Sequence, residues 1–78
     1  MDNLLIGKRI RALRNEQGVK LERLAQHMGR ANSHLSSIEN GKRDAKISDL
    51  KSIAEFFGIT IQALVESKAP TGRDALEI

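Results

Sequence analysis

Apolar residues recur along this chain at helical spacing, and no segment alternates as a strand requires. Ile6, Ile10 and Leu13 fall at intervals of four and three, one face of a helix that starts with Asp2 or Asn3 as N-cap and is stopped by Gly18. Leu21, Leu24, Ala25 and Met28 fit the i, i+3, i+4, i+7 template, and Gly29 closes this second, brief helix. A third segment runs from Ala31 to Asn40, with Ala31, Leu35 and Ile38 as its inward stripe and Gly41 at its end. After the loop Lys42-Arg43-Asp44-Ala45-Lys46 comes a fourth stripe of Ile47, Leu50, Ile53, Ala54 and Phe57, closed by Gly58. Thr60 is the expected N-cap of a short fifth helix carrying Ile61, Leu64 and Val65. These elements predict an all-α, compact five-helix domain over residues 1–66. From Ser67 the periodicity lapses, and Ala69-Pro70-Thr71-Gly72 predicts a linker or flexible tail over 67–78, with Leu76 and Ile78 hinting at the start of a further segment.

The third segment is unusual for a helix. Its non-stripe positions are Asn32, Ser33, His34, Ser36, Ser37, Glu39 and Asn40, nearly devoid of the Lys, Glu and Ala that favour helices. Tertiary packing must therefore hold it. The close approach of helices two and three across Met28-Gly29-Arg30 predicts a helix-turn-helix, in which Ala25 supplies the small side chain at the crossing and Gly29 the positive φ of the turn. Such a motif stands its second helix off the body. The polar face of that helix, Asn32, Ser33, Ser37 and with them His34 and Ser36, then consists of short donors and acceptors suited to base edges in a major groove.

Composition and charge narrow the choice of partner. At 78 residues the chain holds one small domain. It contains no cysteine, which excludes a disulfide framework, a thiolate metal site and a cysteine nucleophile. The longest apolar run is three residues, so no membrane-spanning segment or membrane partner is expected, and a cytoplasmic location is. Residues 1–46 carry ten Lys/Arg against five Asp/Glu, a net of +5, whereas residues 47–78 carry three against five, a net of −2. That asymmetry favours a polyanion against the N-terminal part. Both phenylalanines lie in the fourth helix, so there is no aromatic platform for stacked single-strand bases, and duplex DNA is preferred over single strands.

Other chemistry finds no support. His27 and His34 are the only histidines and fall on different helices, so neither a metal nor any other cofactor is expected. No Ser/His/Asp arrangement, phosphate-cradling glycine loop or paired carboxylate in an apolar setting is discernible, so an enzyme is not expected. Leu4, Leu5, Ile59, Ile61, Leu64 and Val65 form an apolar surplus, to be read either as core or as a dimer interface.

Taken together, Ile6-Gly7-Lys8-Arg9-Ile10-Arg11-Ala12-Leu13-Arg14, the Leu24-Ala25 pair with Gly29, and Leu35-Ser36-Ser37-Ile38-Glu39-Asn40-Gly41-Lys42-Arg43 resemble the XRE family of bacterial and phage regulators, which includes the lambdoid repressors and Cro proteins. The resemblance covers about residues 5–66. It implies a lambda-repressor-like domain that binds a palindromic DNA operator as a homodimer and acts as a transcriptional regulator, a repressor among them, in the bacterial or phage-infected cytoplasm. It further implies base contacts from Asn32, Ser33 and Ser37, phosphate contacts from Asn40, Lys42, Arg43 and Lys46, and a salt bridge between Arg14 and Glu39. Where the family usually has Ser or Thr followed by Gln at the start of helix two, this chain has Lys20 and Leu21, leaving Lys20 to reach a phosphate through its charge. Ala31 and Ala45 likewise replace the usual Ser or Thr and Pro. The competing expectation is a protein-interaction module, antitoxin-like or anti-repressor-like, on the same helix-turn-helix domain.

Overall fold

Each apolar stripe lies on its own helix and turns toward one shared core. The structure, a computed structural model, describes residues 3–66, with α1 (Asn3–Glu16), α2 (Leu21–Met28), α3 (Asn32–Glu39), α4 (Ile47–Phe57) and α5 (Ile61–Val65). No strand occurs among the described residues, and none of their helices is long and apolar enough to cross a membrane. The helices close a ring of packing in the order α1, α3, α2, α4, α5 and back to α1. Ile6, Ile10, Leu13, Leu24, Ala25, Leu35, Ile38, Leu50, Ile53, Ala54 and Leu64 fill its centre. α3 thus lies between α1 and α2, the two elements that set its orientation.

The closest approach is that of α1 to the end of α3. A Cβ on Gly7 would stand 2.4 Å from the Ile38 carbonyl oxygen and 2.5 Å from that of Glu39, so only glycine admits this crossing. At the other side of α3, Gly29 takes the left-handed conformation (φ 70°, ψ 31°), and the turn is closed by Arg30 N–H donating to Ala25 O at 3.0 Å and Gly29 N–H to Gln26 O at 3.1 Å. The turn directs the chain from α2 into α3 within a few residues. Ala25, fully buried, is the small residue beneath it.

Capping contributes little to α2 and α3. Lys20 and Ala31, their N-caps, make no side-chain cap, in contrast to Thr60, whose Oγ1 accepts from Ala63 N–H at 3.0 Å at the start of α5. Both short helices are therefore held by packing.

Several expectations need correction. α3 is one residue shorter at each end than Ala31–Asn40, because Ala31 is extended (ψ 153°) and Asn40 leaves the helical region (ψ 1°). Ile47 is 68% exposed despite its place in the fourth stripe. As the first residue of α4 its side chain leans toward the helix N-terminus, over the preceding loop and away from the core. Leu64, expected as part of a dimer interface, is 1% exposed and belongs to the core, where α5 packs on α4 and α1. Asp2 as an N-cap and the tail over 67–78 lie outside the described residues.

Candidate nucleic-acid interface

The outer face of α3 presents Asn32 and Ser33 exposed to solvent and Ser37 half-buried beside Ser36. Ser33 and Ser37 are four apart and so share one helical face. At the end of α3 the chain leaves through Asn40, Lys42 and Arg43, all exposed, and reaches Lys46, exposed at the N-cap of α4. Lys20 is exposed at the N-cap of α2. A row of short polar groups is thus bordered by cations on neighbouring elements.

His34 departs from the expected set of base contacts. Its Nε2 lies 3.3 Å from Asp49 Oδ1 and its side chain is 15% exposed, so the ring is engaged by α4 rather than directed outward. Its position explains this: one residue before Leu35 and four before Ile38, it sits at the margin of the buried stripe.

Asp49 is a buried carboxylate that the sequence pattern did not single out. Buried at 2% exposure, it accepts from Lys46 N–H at 3.1 Å through Oδ2 and faces Arg30 Nε at 3.4 Å through Oδ1. One carboxylate therefore joins the helix-turn-helix turn, α3 and the start of α4. Three of its partners, Arg30, His34 and Lys46, line a cleft together with Lys42, Arg43 and Asp44, a basic recess at the end of the polar face. Asn3 Nδ2 donates to Asp44 Oδ1, tying the loop to the start of α1.

A second buried carboxylate fixes α3 against α1. Arg14 Nε donates to Glu39 Oε2 at 2.6 Å, Arg14 Nη2 to Glu39 Oε1 at 2.9 Å, and Arg14 Nη1 to Val19 O at 3.0 Å. The Arg14 side chain is 12% exposed and that of Glu39 is not exposed at all. The Arg14 pKa is raised above the usual arginine range by its hydrogen bonds to Glu39 and the charges of Glu39 and Glu22, against desolvation pulling it down. The guanidinium is therefore a permanent cation, with its fork matched to the carboxylate. Arg11, absent from the expected site residues, adds a longer contact to Glu39 Oε1 at 3.3 Å.

His27 belongs to a different face. It packs edge-on against Phe56, 5.2 Å between ring centroids, and lies 3.8 Å from Glu55 Oε1. Among the described residues no group of three His, Cys, Asp or Glu is placed to hold a metal ion.

A short α2, a glycine turn and a stood-off polar α3 define a helix-turn-helix protein, of the lambda-repressor-like fold. The chain belongs to the XRE-type helix-turn-helix regulators: the family model described as "Helix-turn-helix domain" matches residues 7–69. The family is one of transcriptional regulators, not enzymes. The chain is 35% identical over 71 residues to the HTH-type transcriptional regulator SinR of Bacillus subtilis, covering 90% of this chain and 64% of that protein. A crystal structure of SinR, described as the master regulator for biofilm formation in complex with DNA, is 34% identical with a TM-score of 0.70 over 77% of this chain and 97% of that one. The restriction-modification controller protein C.AhdI of Aeromonas hydrophila is 28% identical, with a TM-score of 0.76 over 81% of this chain and 96% of that one. The chain spans less than two thirds of the length of the curated relative it matches at 35% identity.

Proposed function

We propose that this domain binds double-stranded DNA sequence-specifically as part of a transcriptional regulator, occupying a palindromic operator as a homodimer with α3 in the major groove. The observation that carries this reading is the short polar face of Asn32, Ser33 and Ser37, bordered by Lys42, Arg43 and Lys46. Short hydroxyl and amide groups let a helix backbone approach base edges closely, and flanking cations engage the phosphates that fix its register. Asn32, Ser33 and Ser37 are the base-contacting residues; His34, turned to Asp49, is not among them. Lys20, Asn40, Lys42, Arg43 and Lys46 hold phosphates, from the start of α2 and from both ends of the α3–α4 loop. The likeness to SinR, solved with DNA, supports the same reading.

Homodimerisation follows from the economics of target search. A domain of this size on one half-site discriminates weakly against the ~10⁶ or more competing genomic sites, and two half-sites one DNA turn apart multiply that discrimination. Ile59, Ile61 and Val65 remain half-buried, and they lie in the part of the chain whose net charge is −2. A pairing surface there leaves both recognition helices free. Its place of work is the bacterial or phage-infected cytoplasm, on the nucleoid.

Titrating a fluorescent duplex at several salt concentrations tests this. Log K is expected to fall linearly with log salt, by about 0.9 for each phosphate neutralised. Lys42→Ala or Arg43→Ala is expected to weaken every duplex alike and reduce the slope by about one unit, whereas Ser37→Ala leaves the slope intact. Binding that ignores salt favours the protein-interaction module instead, and a salt-dependent slope unmoved by either change removes Lys42 and Arg43 from the phosphate contacts.

A further inference from the structure

We propose that Arg11 is a positioning residue for DNA binding, setting which way round the Asn40 side-chain amide faces the DNA backbone. The proposal rests on the reading of Asn40 as a phosphate contact.

Arg11 stands on α1 three residues before Arg14, so the two guanidinium groups reach the same end of α3. Their tasks differ. Glu39 is already engaged by Arg14 at 2.6 and 2.9 Å, and Arg11 meets it only at 3.3 Å. The short bond of Arg11 is the other one, from Nη2 to Asn40 Oδ1 at 2.7 Å.

That bond fixes a polarity. An amide has an accepting oxygen and a donating nitrogen, whereas a guanidinium only donates, so the Asn40 oxygen must face Arg11. Nδ2 is then turned to the opposite side, where it donates to Ser36 Oγ at a long 3.4 Å. A group held this loosely is available to a phosphate oxygen. The reversed amide would place donors against Arg11 and lone pairs against phosphate, unfavourable at both ends. Arg11 also sits at the negative pole of α3, beside the buried Glu39, where a cation lessens the field opposing an incoming phosphate.

The test uses the full chain on a duplex enriched by it from a random pool, with Arg11→Ala, Arg11→Lys, Asn40→Ala and the double alanine variant. Arg11→Ala and Asn40→Ala are each expected to lower affinity by about three- to ten-fold, as for one hydrogen bond. The double variant loses no more than the worse single, since both remove the same contact. The Arg11→Ala salt slope and melting temperature stay near wild type, and Arg11→Lys, which still donates, recovers most of the affinity. Additive losses overturn the proposal. So does a slope shallower by about 0.9, which marks Arg11 itself as the phosphate contact, or a lowered melting temperature with affinity unchanged, which marks a purely structural role. Failure of the wild-type chain to enrich any duplex overturns the DNA reading and this proposal with it.

Discussion

Glu39→Ala is expected to destabilise the domain by about 3 kcal/mol, the lower end of the range for breaking a buried ion pair, because Arg14 keeps slight solvent access. For a domain of this size that is a fall in melting temperature on the order of 12–24 °C. The cost comes chiefly from what remains. Without Glu39, the Arg14 guanidinium retains only its bond to Val19 O inside the protein, and burying an unpaired cation is far costlier than never forming the pair. The converse change, Arg14→Ala, leaves a fully buried carboxylate with a single long contact from Arg11. In denaturant melts the double change Arg14→Ala/Glu39→Ala is expected to cost less than the sum of the singles. Simple additivity contradicts a coupled pair.

Gly7→Ala is the second substitution with a large expected effect, and its sign runs against helix propensity. In an exposed helix interior glycine to alanine stabilises by about 1 kcal/mol. Here the added methyl meets two backbone carbonyl oxygens at 2.4 and 2.5 Å, and no rotation of a side chain relieves that. The two helices must separate, at a typical overpacking cost of about 1–3 kcal/mol. Because the methyl meets backbone at both contacts, the upper part of that range, about 2–3 kcal/mol, applies, and a net loss of roughly 1–2 kcal/mol is expected once the propensity gain is deducted, together with weakened duplex binding, because α3 is the element displaced. Lys8→Ala, one residue along and exposed, is the control and is expected to stay within about 0.5 kcal/mol of wild type. A Gly7→Ala protein as stable as the Lys8→Ala protein contradicts so close a crossing.

The five helices were legible because each buries a stripe at regular spacing and four end at or just before glycine. Periodicity identifies a face, though, and not the neighbour it meets. Gly7 lies mid-helix, where a glycine is costly unless something needs the space; that signal was present, but the partner, the backbone of Ile38 and Glu39, becomes apparent only in three dimensions. His34 and Arg14 both flank a buried residue, and nothing in one dimension tells that His34 meets Asp49 across an interhelical contact. Asp49 itself resembles an ordinary first-turn acid. Its burial follows from the convergence of Arg30, His34 and the Lys46 N–H on one carboxylate, a tertiary fact. Leu64 looked like surplus because α5 is so short, yet it seals the base of the core between α4 and α1. Conversely, the serine- and asparagine-rich face of α3 was conspicuous in the sequence because it departs from what helix propensity alone selects.

Sequence-specific recognition by α3 is tested most directly by selecting bound duplexes from a random pool, with the wild-type chain and with Ser33→Ala and Ser37→Ala in parallel. The wild-type chain is expected to enrich a two-fold symmetric consensus with half-site centres about one DNA turn apart. Each serine variant is expected to relax or change preference at one or two base pairs per half-site while the rest of the consensus stands. A pool that remains random, or a consensus untouched by both serine changes, contradicts base readout by this face of α3.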